Sequence, residues 1–244
     1  MRAIGIANLS RPAILLVLGL ALIIGNGALV VAADAPPGIA VVEAFVLDGS
    51  VEGQRIAALA GAIASEPHAG IFPLIYRIAT NDPAHDRFAA KRGTVVERAH
   101  EADAGHASAL VIGGRALAVD ASDAVVGTAI AAALATAPRV NPDVRCERWG
   151  DVMWIGIAVP GAPEGAIVTL AVVEDGIAEI PGAGSGPHQA TVRTYKTVAA
   201  ATKLTDVDLS LPPGLAGERT SVIAVVYDAQ GMVLGAARCV SPSQ

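Results

Sequence analysis

From residue 39 onward, the apolar positions fall into short blocks whose spacing switches between two periods. Block 39–46 is continuous and rich in β-branched residues, which predicts a buried strand. Over 54–65, Ile56, Leu59, Ala60 and Ile63 recur at helical spacing, and the pattern stops before Pro67. Block 71–78 predicts a second strand, weakened at its centre by Pro73. Asp82 followed by Pro83 predicts a helix start, the helix running to about Asp103. Two β-prone blocks, 108–112 and 115–119, flank Gly113-Gly114, the loop chemistry of a tight hairpin. Asp120 or Ser122 then caps a helix in which Val125, Val126, Ala129, Ile130 and Ala133 share a face, ending before Pro138.

Helical periodicity is lost near residue 140. Strands are predicted over 144–149, 152–159, 166–173, 191–198, 207–211, 221–227 and 232–239, with Gly, Pro and Asp turn chemistry between them. The glycine-rich stretch 181–187 reads as a loop. Residues 39–138 therefore follow the order β-α-β-α-β-β-α, the thioredoxin-like α/β arrangement, and residues 139–244 form an all-β, sandwich-like domain. This is the expected architecture: an α/β thioredoxin-like N-terminal domain plus an all-β C-terminal one.

The first 33 residues have a different pattern. Arg2 and Arg11 precede or flank the apolar run 13–24, no acid occurs before Asp34, and Val31-Ala32-Ala33 supplies the small residues of a cleavage site. The uninterrupted run is shorter than the roughly 20 residues a spanning helix needs. Cleavage after Ala33 is the expected outcome and an uncleaved membrane anchor the alternative; 34–38 is a linker. Either way the rest is expected in the periplasm or outside the cell. Cleavage leaves 15 Lys and Arg against 23 Asp and Glu, a formal charge of −8. Without a basic run, neither nucleic acid nor an anionic membrane surface is a fitting partner. Membrane contact is expected only through the N-terminal segment.

Particular blocks resemble a known family. Val41-Val42-Glu43-Ala44-Phe45 with Gly49, the Gly113-Gly114-Arg115 hairpin, Thr194 to Val198 and Val233 to Arg238 are similar, in order, to secreted thioredoxin-like proteins catalogued as domain of unknown function 1223. The resemblance implies a dithiol loop after the first strand and a cis-proline before the hairpin. In this chain the paired cysteines fall on Ser50 and Gly53, and the cis-proline position on Ser108. The polar landmarks of the family are replaced, so the resemblance implies a degenerate member.

Independently of the family, no cysteine lies before Cys146, whereas dithiol exchange needs an attacking thiolate and a second, resolving sulfur. Cys146 and Cys239 are expected on the first and last strands of the second half. A structural disulfide between them is one reading. Two separate thiols, or an accessible Cys239, are the others. Of His68, His85, His100, His106 and His188, only His100 with Glu97 or Asp103 has a helical spacing that could form a ligand pair, which a solvated helix surface explains better, and no cofactor motif is complete. No catalytic constellation, metal site or cofactor is expected. Trp149 and Trp154 flank the Gly150-Asp151 turn on adjacent strands, which fits packing or a shared aromatic face.

The expectation is an exported, redox-inactive binding or structural module with an extracytoplasmic protein partner. The alternative is a hydrolase-like or other non-thiol enzyme at the former dithiol cleft. Thiol-disulfide oxidoreductase activity through Cys146 and Cys239 ranks last.

Overall fold

The computed structural model describes residues 38–66, 68–78, 87, 88, 90, 91, 108–178 and 187–241. The expected export segment and most of the helix expected over 82–103 lie outside the described residues; residues 87, 88, 90 and 91 of the latter are helical. In chain order the elements are β1 (Ala40–Leu47), α1 (Val51–Ser65), β2 (Ile71–Ile78), β3 (Ala109–Ile112), β4 (Arg115–Leu117) and α2 (Asp123–Leu134). There follow β5 (Asp143–Trp149), β6 (Val152–Ala158), β7 (Ile167–Glu174), β8 (Thr191–Ala199), β9 (Thr205–Ser210), β10 (Thr220–Tyr227) and β11 (Val233–Val240).

Eight strands form one mixed sheet in the order β11-β10-β7-β8-β2-β1-β3-β4, and β5-β6-β9 form a second, three-stranded sheet. This corrects the expected fold class. Instead of an α/β thioredoxin-like domain beside an all-β one, the described residues are mostly sheet, 46% strand against 20% helix, and sandwich-like. The join is parallel pairing of β2 with β8 at Ile75 and Thr191, where the Ile75 N–H donates to the Ala190 carbonyl at 2.9 Å. So small a seam between residues far apart in sequence leaves no trace in local periodicity.

Pro73 fits this seam. It lies two residues before Ile75, so its nitrogen faces the same side of β2, and β8 pairs with β2 only at Ile75. The missing N–H therefore costs no ladder bond there.

Strands β7 and β10 are buried on both faces. Ala171, Val173, Ile223, Val225 and Tyr227 belong to the core that also contains Val41, Phe45, Ile56 of α1 and Val126 of α2. The alternate residues Val168, Leu170, Val172, Val222, Ala224 and Val226 pack against Met153, Ile155, Ile157, Val207 and Leu209 of the small sheet. Two-sided burial explains their near-continuous apolar runs. The same two strands serve both cores, so the layers are built as one body.

Candidate functional site

The loop after β1 is the first place to look, because the chemistry implied by the family resemblance would reside there. Gly49 turns the chain at φ +84, and Ser50 then caps α1. The Ser50 hydroxyl donates to the Leu47 carbonyl at 2.9 Å and accepts the Gly53 N–H at 2.9 Å. It is thus a helix cap with its hydrogen bonds satisfied inside its own turn. Gly53 is buried, and a Cβ there would stand 2.1 Å from the Leu47 carbonyl oxygen. No side chain, thiol included, fits that position unless the backbone moves. Ser108, 1% exposed, accepts the Leu47 N–H through its hydroxyl at 3.1 Å. All three positions carry structural bonds or close contacts.

Beside this loop lies a buried ion pair. Asp48 and Arg77 meet through two contacts, Arg77 Nη2 to Asp48 Oδ1 and Arg77 Nε to Asp48 Oδ2, and their side chains are 4% and 7% exposed. His188 is electrostatically coupled to both. Partial burial and then the Arg77 charge lower its pKa from the ordinary value, with Asp48 opposing. The imidazole Nε2 is buried without a hydrogen-bond partner among the described residues. Acid, cation and imidazole converge, but the Ser50 hydroxyl is held by Leu47 and Gly53, so Ser50 is not joined to that imidazole as a nucleophile.

A second polar centre is built from residues that the sequence pattern did not single out. All three tyrosines of the chain, Tyr76, Tyr195 and Tyr227, surround the Lys91 ammonium, with ring centroids 5.4, 5.3 and 5.6 Å from Nζ. Lys91 also lies 3.5 Å from Glu43 Oε1 and 3.4 Å from the Thr169 hydroxyl. The cage draws on neighbouring strands: Glu43 from β1, Tyr76 from β2, Tyr195 from β8, Thr169 from β7 and Tyr227 from β10. Phe45 stacks on Tyr76 at 4.8 Å, and Phe88 meets it edge-on at 5.6 Å. Ring faces carry negative quadrupole density, so they stabilise the ammonium where water is excluded.

Burial, then the Glu43 charge, push the Tyr76 hydroxyl well above its ordinary pKa. The two groups interact electrostatically, but among the described residues the Tyr76 oxygen meets no partner at hydrogen-bond geometry. Burial also raises Tyr195, against the opposing Arg87 charge, and its hydroxyl donates to the Arg87 carbonyl at 3.0 Å. With Glu43 and Lys91 only 1% and 8% exposed, the cage holds an internal cation and presents no open nucleophile.

Cys146 on β5 and Cys239 on β11 are brought side by side but stand as free thiols, so of the readings above the structure does not carry the disulfide. Cys146 is 6% exposed; burial, and then its hydrogen bond with Cys239, push its pKa far up. That is the opposite of what thiol attack needs. Among the described residues, no group of three or more His, Cys, Asp and Glu is placed to hold a metal ion. His85, His100 and His106 lie outside the described residues, and His68 Nδ1 accepts the Gly70 N–H at 3.1 Å.

These features define a class by architecture alone: a β-rich protein with a mixed eight-stranded sheet backed by a smaller one. Solved structures of that architecture include HBP35 of Porphyromonas gingivalis, similar at 14% identity and TM-score 0.58 over 84% of this chain and 76% of that one. Protein AGR_C_4864 from Agrobacterium tumefaciens is similar at 14% identity and TM-score 0.57, over 86% of this chain and 98% of its own. At such identity the likeness concerns the fold. No family model matches the chain, and no curated protein does.

Proposed function

We propose that the chain is an exported, redox-inactive binding module, a degenerate relative of the family catalogued as domain of unknown function 1223. The observation that carries the reading is the closed state of the former dithiol loop. Ser50 is consumed as a helix cap, and Gly53 has no room for a Cβ. The remaining sulfur pair is held with Cys146 protonated and buried. Export is supported by the charge and apolar pattern of residues 1–33.

The purified protein should not accelerate insulin reduction by dithiothreitol above the uncatalysed rate. Catalysis that disappears in a Cys146→Ser, Cys239→Ser variant would overturn the proposal in favour of a thiol enzyme.

A further inference from the structure

The outward face of the small sheet combines aromatic and acidic side chains. Inward residues of β6 and β9 are Met153, Ile155, Ile157, Val207 and Leu209, all at most 5% exposed, so Trp154 and Gly156 and, on β9, Asp206 and Asp208 fall on the other face. On β5 the inward Cys146 leaves Arg145, Glu147 and Trp149 outward. Cross-strand register sets Glu147, Trp154 and Asp208 in one row, and Arg145, Gly156 and Asp206 in the next.

Both tryptophans of the chain therefore lie on this face. Their rings are nearly parallel, at 13°, with centroids 6.4 Å apart, and Trp149 is 58% exposed. Gly156 lets the Trp154 ring lie close to the sheet, since a Cβ there would stand 3.1 Å from its Cη2 and 3.3 Å from Leu204 Cδ1. Leu204, 51% exposed, extends the apolar patch.

The rim is acidic. Among the described residues, none makes a hydrogen bond or ion pair with the Glu147, Asp206 or Asp208 carboxylates. The outward positions of the three strands carry a single cation, Arg145, already paired with Asp143 at 3.4 Å.

Resting on the binding-module reading, we infer that this face docks a basic, Arg- or Lys-rich polypeptide segment. Its cations would lie on the indole faces and pair with Glu147, Asp206 and Asp208. Charge complementarity selects this occupant: exposed indole attracts cations, and adjacent unpaired carboxylates reinforce that attraction while repelling acidic partners.

The chain supplies its own probe, because tryptophan emission arises only from this face. Titration of the full protein with octa-arginine should give a saturable change in that emission. Glu147→Gln with Asp208→Asn should weaken binding about tenfold or more, as loss of charge pairing at a contact predicts. Asp123→Asn with Glu164→Gln removes the same charge from exposed positions elsewhere and should leave binding unchanged. Absence of a saturable change overturns the inference. So does equal weakening by the two variants, which would mean attraction by net charge alone. A neutral hexasaccharide that produces the same change, undiminished in Glu147→Gln with Asp208→Asn, overturns it in favour of sugar stacking. Insulin reduction tests the redox-inactive reading separately, so either claim can fail while the other stands.

Discussion

Replacing Lys91 by Met tests how the aromatic cage contributes to the fold. Methionine keeps much of the side-chain length and removes the charge. It leaves the Glu43 carboxylate, 1% exposed and 3.5 Å from the lost ammonium, among tyrosine rings with no compensating cation among the described residues. Breaking a buried ion pair from one side costs about 3–5 kcal/mol. For a chain of this size, each kcal/mol lowers Tm by about 2–4 °C, so Lys91→Met should melt about 6–20 °C below the parent.

Adding Glu43→Gln to Lys91→Met removes the stranded charge as well. The double variant should recover much of that loss, giving a coupling of about 2 kcal/mol or more between the sites. Urea denaturation followed by tryptophan emission measures all four members of the cycle. The reasoning is refuted if Lys91→Met lies within about 0.5 kcal/mol of the parent, the spread of an ordinary surface change. It is also refuted if the two single effects simply add.

Three further outcomes follow from the other sites. Gly53→Ala places a Cβ 2.1 Å from the Leu47 carbonyl and should destabilise by about 1–3 kcal/mol in urea denaturation; an unchanged midpoint would show that the loop has room. His188 has a lowered pKa in the folded protein, so the unfolded chain binds its proton more readily. Its contribution is fully present above the ordinary value of 6.5 and is lost as pH falls through the lower folded value. His188→Gln should therefore flatten the decline of Tm below that pH, and an identical decline would count against the assignment. In the folded protein, iodoacetamide should alkylate the partly exposed Cys239 well before Cys146. Equal rates would contradict the buried, protonated state of Cys146, and two sulfurs unreactive even in unfolded, unreduced protein would mean a bonded pair.

Local pattern conveys much of this structure. Strands β5 to β11 lie close to their apolar blocks, and the Gly113-Gly114 turn does join β3 and β4. The start of α1 is less legible: apolar spacing places it at residue 54, whereas the Ser50 cap begins the helix at Val51. Trp149 and Trp154 are neighbours because they flank one tight turn, which the sequence displays directly. The lysine cage has no such signal. Tyr76, Lys91, Thr169, Tyr195 and Tyr227 meet only because β2 and β8 pair, and periodicity along one strand says nothing about which distant strand lies beside it. The same seam explains why a change of pattern near residue 140 does not divide the large sheet.

The double burial of β7 and β10 bears on how the protein can be cut. A fragment ending at residue 138 would keep β1 to β4 but lose β8, leaving one side of the apolar β2 unpaired. An open, hydrophobic strand edge invites pairing with other chains. It would also surrender Thr169, Tyr195 and Tyr227 and flood the Glu43 site with solvent. The remaining fragment would fare no better, because β7 and β10 would expose the apolar side that now faces the first core. Each piece should therefore aggregate when expressed alone, and co-expression should rescue both.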